Sequence, residues 1–421
     1  MRRDRRTVGR IENALIVCLA CLALVLVSRT SFFQALPFLP HADTAQGAAV
    51  GQGASLAHGA PTALAFTTEG GRFGVQGDAD SVAALWDGGL RDLLDAALAA
   101  AERPSATTRT AWQEAIAGEE GWVWYDLLYD VPFADRSEGG AARRFLLTAR
   151  GGHATALYLY CQEEDAYYVC RLSDPTLALP ELVRHQAANG AVFAFEDPAY
   201  AGIDPDQLVT RAAPRCPVYT AESALAALDA DLREGLMDAL DFNQRAASVY
   251  QSAEGQVVRE GADTLRLQTD GTVSFHGSES GKARYTALSA RTGDLRDCAQ
   301  ELFDRLTEGR IGPAALYCCA VETGEDGATV LSWRYRLAGA EVWLDDADGL
   351  AAQATFRGTA LTAFWVRAMT FTETEEGAAL PPARQAAAAA SDGEGRELRL
   401  CYRLADGRAE AGWALMLDRE G

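Results

Sequence analysis

The longest uninterrupted apolar stretch of the chain lies near its N-terminus, from Ala14 to Val27. A helix needs about 20 residues to cross the hydrocarbon layer of a bilayer, so this stretch is short by itself. Ile11 before it, and Phe32 and Phe33 after it, extend its apolar character. The pattern therefore predicts one transmembrane helix over residues 11–30.

Residues 31–61 predict a flexible tether. From position 40 to position 61 the chain is rich in alanine and glycine, contains no aromatic residue and carries one charge, Asp43. Such segments cannot bury enough apolar surface to fold. The folded part is expected to begin near Thr62.

Apolar positions in residues 62–235 then alternate between helical and strand periods, which predicts a mixed α+β extracytoplasmic domain. A Gly88-Gly89 pair weakens the middle of its first helix. The expected strands cover residues 64–68, 122–131, 142–149, 154–161 and 167–172, and the expected helices cover 80–101, 180–188 and 222–239.

The last 180 or so residues repeat one pattern of strands around a single helix, in residues 236–338 and again in 339–421. We expect two α+β subdomains, each laying one helix on one face of an antiparallel sheet. The helices are expected at 294–307 and 381–390, and the strands at 264–268, 272–276, 314–322, 329–337, 341–344, 351–356, 361–370, 397–404 and 409–417.

Charge sets the expected orientation in the cell membrane. Five of the first ten residues are arginine and one is Asp4, whereas Arg29 is the single arginine just after the apolar stretch. Because positive charge stays on the cytoplasmic side, residues 1–10 are expected to form a cytoplasmic tail, with the bulk of the chain extracytoplasmic.

The rival interpretation of the N-terminal segment is a cleaved signal peptide, and residues 28–33 (SRTSFF) are a poor match to its cleavage site. A lipoprotein signal fits less well still, because Val17 precedes Cys18.

The net charge of −21 includes +4 from the first ten residues, so residues 11–421 carry −25. An acidic body of this kind argues against nucleic acid as a partner and against binding to an anionic membrane face. The partner surface is expected to be neutral or basic.

Nine cysteines are present, of which Cys18 and Cys21 lie in the apolar stretch. The remaining seven are an odd number, so at least one is unpaired or pairs between chains. Their wide spacing is unlike that of a disulfide scaffold, and we interpret most of them as small core residues.

No catalytic, cofactor-binding or metal-binding constellation is predicted. The five histidines lack metal-ligand spacing, and residues 277–281 (GSESG) have glutamate where a nucleophile elbow needs serine. Residues 345–349 (DDADG) resemble part of a calcium-binding loop, but Leu344 and Thr355 stand at the first and twelfth ligand positions, where an EF-hand needs acidic residues. The segment therefore predicts a hairpin turn. Paired carboxylates fall at turns. Trp122 and Trp124 alternate onto one strand face, which favours core packing over a carbohydrate platform.

Three segments of the C-terminal half carry recognisable strand-and-turn motifs. Residues 263–275 (DTLRLQTDGTVSF) form a strand–DG–strand pattern before a predicted helix, and residues 331–342 (LSWRYRLAGAEV) form an aromatic strand, a small-residue turn and a returning strand. Residues 398–402 (LRLCY) with 412–415 (GWAL) form a closing hairpin. In these three segments the chain resembles the YycH and YycI family. The basic tail, the single anchor and the long region before residue 236 favour YycH over the shorter YycI.

The resemblance implies a non-enzymatic, membrane-anchored regulator of the essential WalK (YycG) sensor histidine kinase, which controls cell-wall metabolism. It also implies contacts with the kinase, and with a paralogous regulator, through the transmembrane helix and the exported domains. In the anchor, Ala14, Cys18 and Cys21 share a helical face and form the candidate contact face.

Two other functions stay open at this point. An exported cell-wall-associated enzyme would use carboxylates that no motif identifies, and a cleft with two convergent acids of raised pKa would support it. A ligand-binding sensory module would instead contain a deep apolar pocket.

Overall fold

A computed structural model describes residues 61–118, 121–132, 141–162, 164–227, 229–240, 242–277, 295–324, 327–344, 349–390 and 395–416. The expected transmembrane helix, the tether, and Ala14, Cys18 and Cys21 lie outside the described residues, as does most of the DDADG turn. Within those ranges, no helix has the length and apolar character needed to cross a membrane.

The first half of the described chain builds a seven-stranded antiparallel sheet in the order β2-β1-β4-β5-β6-β7-β3. The predicted meander over residues 142–172 is confirmed as β5, β6 and β7, since these strands pair in sequence. The strands are β1 (Ala63–Thr68), β2 (Gly71–Gln76), β3 (Ser105–Thr107), β4 (Gly121–Pro132), β5 (Ala141–Arg150), β6 (His153–Cys161) and β7 (Ala166–Arg171).

Helical segments cover both faces of this first sheet. On one face lie α1 (Ala79–Leu85), a π-helical turn (Trp86–Leu90) and α2 (Arg91–Ala100). The predicted single helix is therefore interrupted where glycine was expected to weaken it, because Gly89 has a φ of 116°. On the other face, α3 (Arg109–Ala117) packs Trp112 against the core that contains Trp122 and Trp124. A short helix α4 (Glu181–His185) stands where residues 180–188 were expected to be helical.

The second half forms a 13-stranded sheet within the described residues. Its order is β11-β12-β13-β14-β19-β18-β16-β17-β21-β22-β10-β20, and β15 pairs with β16 beside that path. These strands are β10 (Cys216–Ser223), β11 (Ser248–Gln251), β12 (Gly255–Glu260), β13 (Asp263–Gln268), β14 (Thr272–His276), β15 (Ala315–Thr323), β16 (Ala328–Leu337), β17 (Ala340–Trp343), β18 (Ala352–Arg357), β19 (Ala360–Arg367), β20 (Met369–Ala378), β21 (Glu397–Ala405) and β22 (Arg408–Met416). A small ladder of β8 (Val192–Phe193) and β9 (Leu208–Val209) precedes them in the chain.

Three helices accompany the large sheet: α5 (Ala230–Ala239), α6 (Leu295–Thr307) and α7 (Ala383–Ala389). Leu302, Phe303 and Leu306 of α6 enter the main core, where Phe303 meets Trp333 edge-on at 4.8 Å between ring centroids. Helix α7 instead packs on the segment around Ile203 and Val209. The coarse prediction of a mixed α+β protein with antiparallel sheets is confirmed.

The helix predicted over residues 222–239 is wrong in its first half. Residues 216–223 are strand β10, inserted between β20 and β22, and the helix begins only after Asp229 caps it. At residues 222 and 223, pairing with the distant strand β20 outweighs the local helical pattern.

The two C-terminal repeats share one sheet. Strand β14 of the first repeat pairs with β19 of the second, and β16 pairs with β18. The boundary proposed at 338/339 therefore does not separate one sheet from another. The boundary at 235/236 does not do so either, because β10 lies before it in the chain and also belongs to the large sheet.

Burial of the cysteines agrees with their interpretation as small core residues. Cys161, Cys170, Cys216, Cys318 and Cys401 are buried, while Cys298 and Cys319 are partly exposed. Trp122 and Trp124, which were expected to pack in the core, are both buried.

Candidate functional site

The most unusual feature of the described structure is a cluster of buried charges where the two sheets meet. Its centre is the adjacent pair Arg143 and Arg144, which lie near the start of the largely apolar strand β5 and are nearly inaccessible to solvent. Successive side chains of a strand point to opposite faces, so both faces of β5 must be covered at this point. Burying two guanidinium groups is costly unless each has anionic partners.

Arg143 is bound across the sheet junction by Glu397 at the start of β21. Its two terminal nitrogens donate to the two carboxylate oxygens at 2.8 and 2.5 Å, a bidentate arrangement. The remaining Nε–H donates to the backbone carbonyl of Leu127 at 2.8 Å. That nitrogen also lies 3.0 Å from Asp126 Oδ1, an ionic contact without hydrogen-bond alignment.

Arg144 contacts three carboxylates. Its Nη1 donates to Asp204 Oδ2, while Nε lies 3.4 Å from Asp126 Oδ2 and Nη2 lies 3.4 Å from Glu397 Oε1. The guanidinium also sits over the ring of Tyr160, 5.5 Å from its centroid. The two arginines therefore share Asp126 and Glu397 between them.

The cluster continues into the large sheet through Arg399, two residues after Glu397. Arg399 Nη2 lies 2.7 Å from Glu397 Oε2, and its Nη1 lies 3.5 Å from Glu341 Oε1 on β17. Glu341 also accepts from Arg334 at 3.1 Å and from the hydroxyl of Tyr317 at 3.0 Å. We call the eight charged residues the ionic seam: Asp126, Arg143, Arg144, Asp204, Arg334, Glu341, Glu397 and Arg399.

The ionic seam holds four positive and four negative side chains. Burial raises the pKa of Glu397, but the fields of Arg143, Arg399 and Arg144 outweigh it, so that pKa lies well below its ordinary value. Burial likewise raises the pKa of Glu341, and Arg399 with Arg334 brings it below the ordinary value. Both carboxylates therefore stay ionised at neutral pH.

A cavity of about 30 Å³ lies beside the seam, lined by Gln76, Asp126, Glu397 and Arg399 among others. Three buried polar atoms among these lining residues have no hydrogen-bond partner in the described protein: Gln76 Oε1, Asp126 Oδ1 and Arg399 Nε. A water needs roughly 10–15 Å³ of such space, so the cavity has room for about two waters to complete these hydrogen bonds.

These groups are suited to holding the sheets together, and poorly suited to acid–base chemistry. A general acid or base needs a pKa near the working pH, whereas each carboxylate with a resolved shift in the seam is held in its charged form. Elsewhere at the junction, Leu398 N–H donates to Gln207 Oε1 at 2.8 Å, and Gln207 Nε2 donates back to the Leu398 carbonyl.

A second polar cluster lies at the edge of the first sheet, around Asp206. Its carboxylate accepts from the Tyr167 hydroxyl and, at 2.8 Å, from Gln113 Nε2, with Arg109 Nε at 3.3 Å. Burial raises the pKa of Asp206, although the bond from Tyr167 opposes this. Tyr167 and Arg109 line an open cleft of about 460 Å³ that also includes Asp165 and Tyr168.

Tests for the rival functions give a mixed result. The enzyme hypothesis requires a cleft with two convergent acids of raised pKa. Asp206 is a single acid of raised pKa beside a cleft. Among the described residues, the other carboxyl group whose pKa is raised, through burial, is Asp95, which lies on α2 beside Arg91. No group of three potential metal ligands occurs within the described ranges.

Sequence reasoning missed the ionic seam. Its signal was present: Arg143-Arg144 opens an otherwise apolar strand, and Glu341 and Glu397 stand at the start of predicted strands. Charges placed inside strand patterns indicate buried ion pairs, but the partners lie 254 residues apart in the Arg143–Glu397 case. Ala14, Cys18 and Cys21, the predicted site residues, lie outside the described residues.

Comparisons with protein-family models, with curated proteins and with solved structures find no match to this chain.

Proposed function

We propose that this protein is a non-enzymatic regulator of a two-component sensor histidine kinase. In this proposal it is a single-pass protein of the cell membrane, with residues 1–10 in the cytoplasm, a helix over 11–30, a tether over 31–61 and an extracytoplasmic α+β body. It acts by protein–protein contact through the anchor and the body, with a paralogous regulator of the YycH/YycI type as a second partner.

The observation that carries the proposal is the internal use of the ionic seam. Its charges contact one another and join the two sheets, so the most prominent buried polar cluster of the described body serves assembly rather than substrate chemistry. A body of this kind presents surfaces at a fixed spacing, which suits a regulator that favours one state of a kinase by differential contacts.

The sequence supports the membrane part of the proposal. Five arginines precede the apolar stretch, and the spacing of Ala14, Cys18 and Cys21 would set three small residues on one face of the proposed helix. In lipid, helices associate where small residues allow close approach of their backbones. The acidic body, at −25 over residues 11–421, favours neutral or basic partner surfaces.

Photo-crosslinking of the full-length chain in native membranes, followed by mass spectrometry, tests the proposal. Amine-reactive reagents are unsuitable, because Lys282 is the only lysine. A sensor histidine kinase is expected among the recovered partners. Recovery of a cell-wall polymer instead, without a kinase, would reject the regulatory function.

The double variant Ala14→Leu/Cys18→Leu tests the contact face. Two added branched side chains should hold the helices apart and reduce kinase recovery by roughly tenfold, the equivalent of about 1.4 kcal/mol of helix packing. Ala23→Leu is the matched control, because at 100° per residue Ala23 lies opposite Ala14. Equal recovery from both variants would exclude this face.

A further inference from the structure

The two ends of the large sheet differ in chemistry. Strand β20 closes one end, and Glu373, Glu375 and Glu376 are exposed along it. Like charges on an end strand repel a second copy of the same edge, which is a common protection against edge pairing. Strand β11 closes the other end and carries no charge, no proline and no bulge.

All four residues of β11 are exposed, and two of them are large and apolar. Val249 is 42% exposed and Tyr250 is 50% exposed, among the highest values for apolar side chains of the described body. In the described part of the chain, β12 is the single ladder partner of β11. An unprotected edge with exposed apolar side chains is a template for another strand.

Hydrogen bonding fixes which groups of β11 point outward. Ser252 N–H donates to Gly255 O at 2.8 Å, which makes this pair a hydrogen-bonded one. Hydrogen-bonded and non-bonded pairs alternate along an antiparallel ladder, so Tyr250 is the next residue bonded to β12. The amide and carbonyl groups of Val249 and Gln251 therefore face away from the sheet.

Local charge permits self-association at this edge. Residues 243–260 contain two arginines and two glutamates, so this segment is neutral within a body of −25. Arg245 precedes β11 and Glu254 follows it, both exposed. An antiparallel second copy brings Arg245 of each chain toward Glu254 of the other, whereas a parallel copy would align like charges.

We propose that β11 is an interface with β11 of a second copy of this chain, joined edge to edge across a two-fold axis at Tyr250. Val249 of each copy then pairs with Gln251 of the second copy through outward-facing groups, giving four hydrogen bonds. The two Tyr250 residues face each other as the central non-bonded pair, where aromatic side chains pack across strands.

Only registers that pair outward-facing residues with one another are compatible with this geometry. A one-residue shift would set Val249 opposite Tyr250, whose amide is already used by β12, so it is excluded. The register centred on Tyr250 uses both outward-facing residues of β11. A contact of four residues from each copy is small. In the proposed membrane-anchored protein, confinement of both copies to one membrane raises their effective concentration and so favours this contact.

Cysteine substitution in the full-length chain tests the register in native membranes under a mild oxidant. Opposed residues of a non-bonded pair have Cα atoms about 4.5 Å apart, within the range for a disulfide. Tyr250→Cys should therefore give disulfide-linked dimers well above the wild-type background from the native cysteines. Ser248→Cys is the matched control, since its two copies would lie about 13 Å apart along the strands.

A second arm removes the interface without touching the internal ladder. Val249→Pro deletes one outward N–H per copy, and proline is tolerated on an edge whose N–H faces solvent. Two of four hydrogen bonds are lost, so self-association of the Tyr250→Cys chain should weaken roughly thirtyfold. Val249→Thr retains the N–H and a β-branched side chain, and should leave dimer formation nearly unchanged.

The outcomes separate clearly. The two-fold interface is supported if Tyr250→Cys gives disulfide-linked dimers and Ser248→Cys does not. In the same register Ser248 lies opposite Ser252 of the second copy, so the double variant Ser248→Cys/Ser252→Cys should also give dimers. No dimer above the wild-type background, or equal dimer from both single variants, overturns it. Crosslinking of Tyr250→Cys to a different protein also overturns the proposal, and assigns this edge to that partner.

Discussion

At the scale of single residues, the ionic seam determines how the two sheets are held together. Arg143, Arg144 and Arg399 converge on Glu397, which is fully enclosed. Attraction between buried charges mainly offsets the cost of removing them from water, so their net contribution to stability is small. Removal of a single member is a different matter, because its partners then remain buried and uncompensated.

Glu397→Gln is expected to lower the free energy of unfolding by about 3–5 kcal/mol, because three guanidinium groups lose their shared anion. Urea unfolding followed by circular dichroism measures this change. Glu410→Gln is the control, since Glu410 is an exposed partner of Arg408 and its loss should have no measurable effect. A similar response from both variants would show that the seam does not join the sheets.

Acid should weaken the seam. The pKa values of Glu397 and Glu341 are lowered in the folded protein from an ordinary value of 4.5. Their contribution is therefore complete above about pH 4.5 and is lost as pH falls toward the folded pKa values. Asp206 has the opposite sign, because its raised pKa favours the folded state in acid and loses that effect as pH rises.

Urea unfolding at a series of pH values checks this expectation. Wild-type stability should change little between pH 7 and about pH 5 and then fall, and Glu397→Gln should show a shallower fall. An unchanged acid profile in the variant would contradict the assignment of a low pKa to Glu397.

At the scale of elements, β10 shows how tertiary contacts override a local pattern. Residues 222 and 223 fall within the helix predicted over 222–239, yet they end strand β10, where they pair with residues 370 and 369 of β20. Tyr219 of β10 meets Tyr402 of β21 edge-on at 5.6 Å between centroids, and the Tyr402 hydroxyl donates to Pro217 O at 3.0 Å. Strand β10 is therefore part of the core of the large sheet.

Two fragments test this placement. A fragment of residues 236–421 lacks β10 and exposes the facing edges of β20 and β22, so it should aggregate or remain unfolded. A fragment of residues 212–421 retains β10 and should be more soluble, with a larger strand signal in circular dichroism. Equal folding of the two would support the domain boundary predicted after residue 235.

At the scale of the whole molecule, residues 61–416 include two sheets that share polar contacts at their junction. Arg215 N–H donates to Gly77 O at 3.0 Å, and Asp204 N–H donates to Arg396 O at 3.0 Å, beside the ionic seam. These contacts link β2 to the segment before β10, and the Asp204 loop to the start of β21. The sheets are therefore expected to unfold together.

Native-state hydrogen exchange tests this cooperativity. Amides in the centre of β5 and of β21 should exchange with the same opening free energy, because each sheet loses the partners of its buried charges when the other unfolds. In Glu397→Gln the two values should separate. Distinct values in the wild-type protein would show that the sheets are independent units.

The sequence by itself determined much of the local structure. Period-two alternation identified the meander of β5, β6 and β7, and the Asp270-Gly271 turn identified the hairpin of β13 and β14. Gly88-Gly89 marked the interruption between α1 and α2. These features depend on neighbours within a few residues, which is the range over which side-chain period, capping and turn chemistry act.

Only the tertiary structure decided the arrangement of the strands and the partners of the buried charges. Local pattern cannot distinguish two repeats with separate sheets from two repeats that interleave, as β14 with β19 and β16 with β18 do. Nor can it connect Arg143 to Glu397, because a charge inside a strand pattern requires a partner without specifying where in the chain that partner lies. Long-range pairing depends on how whole faces pack, and that information is distributed over the entire chain.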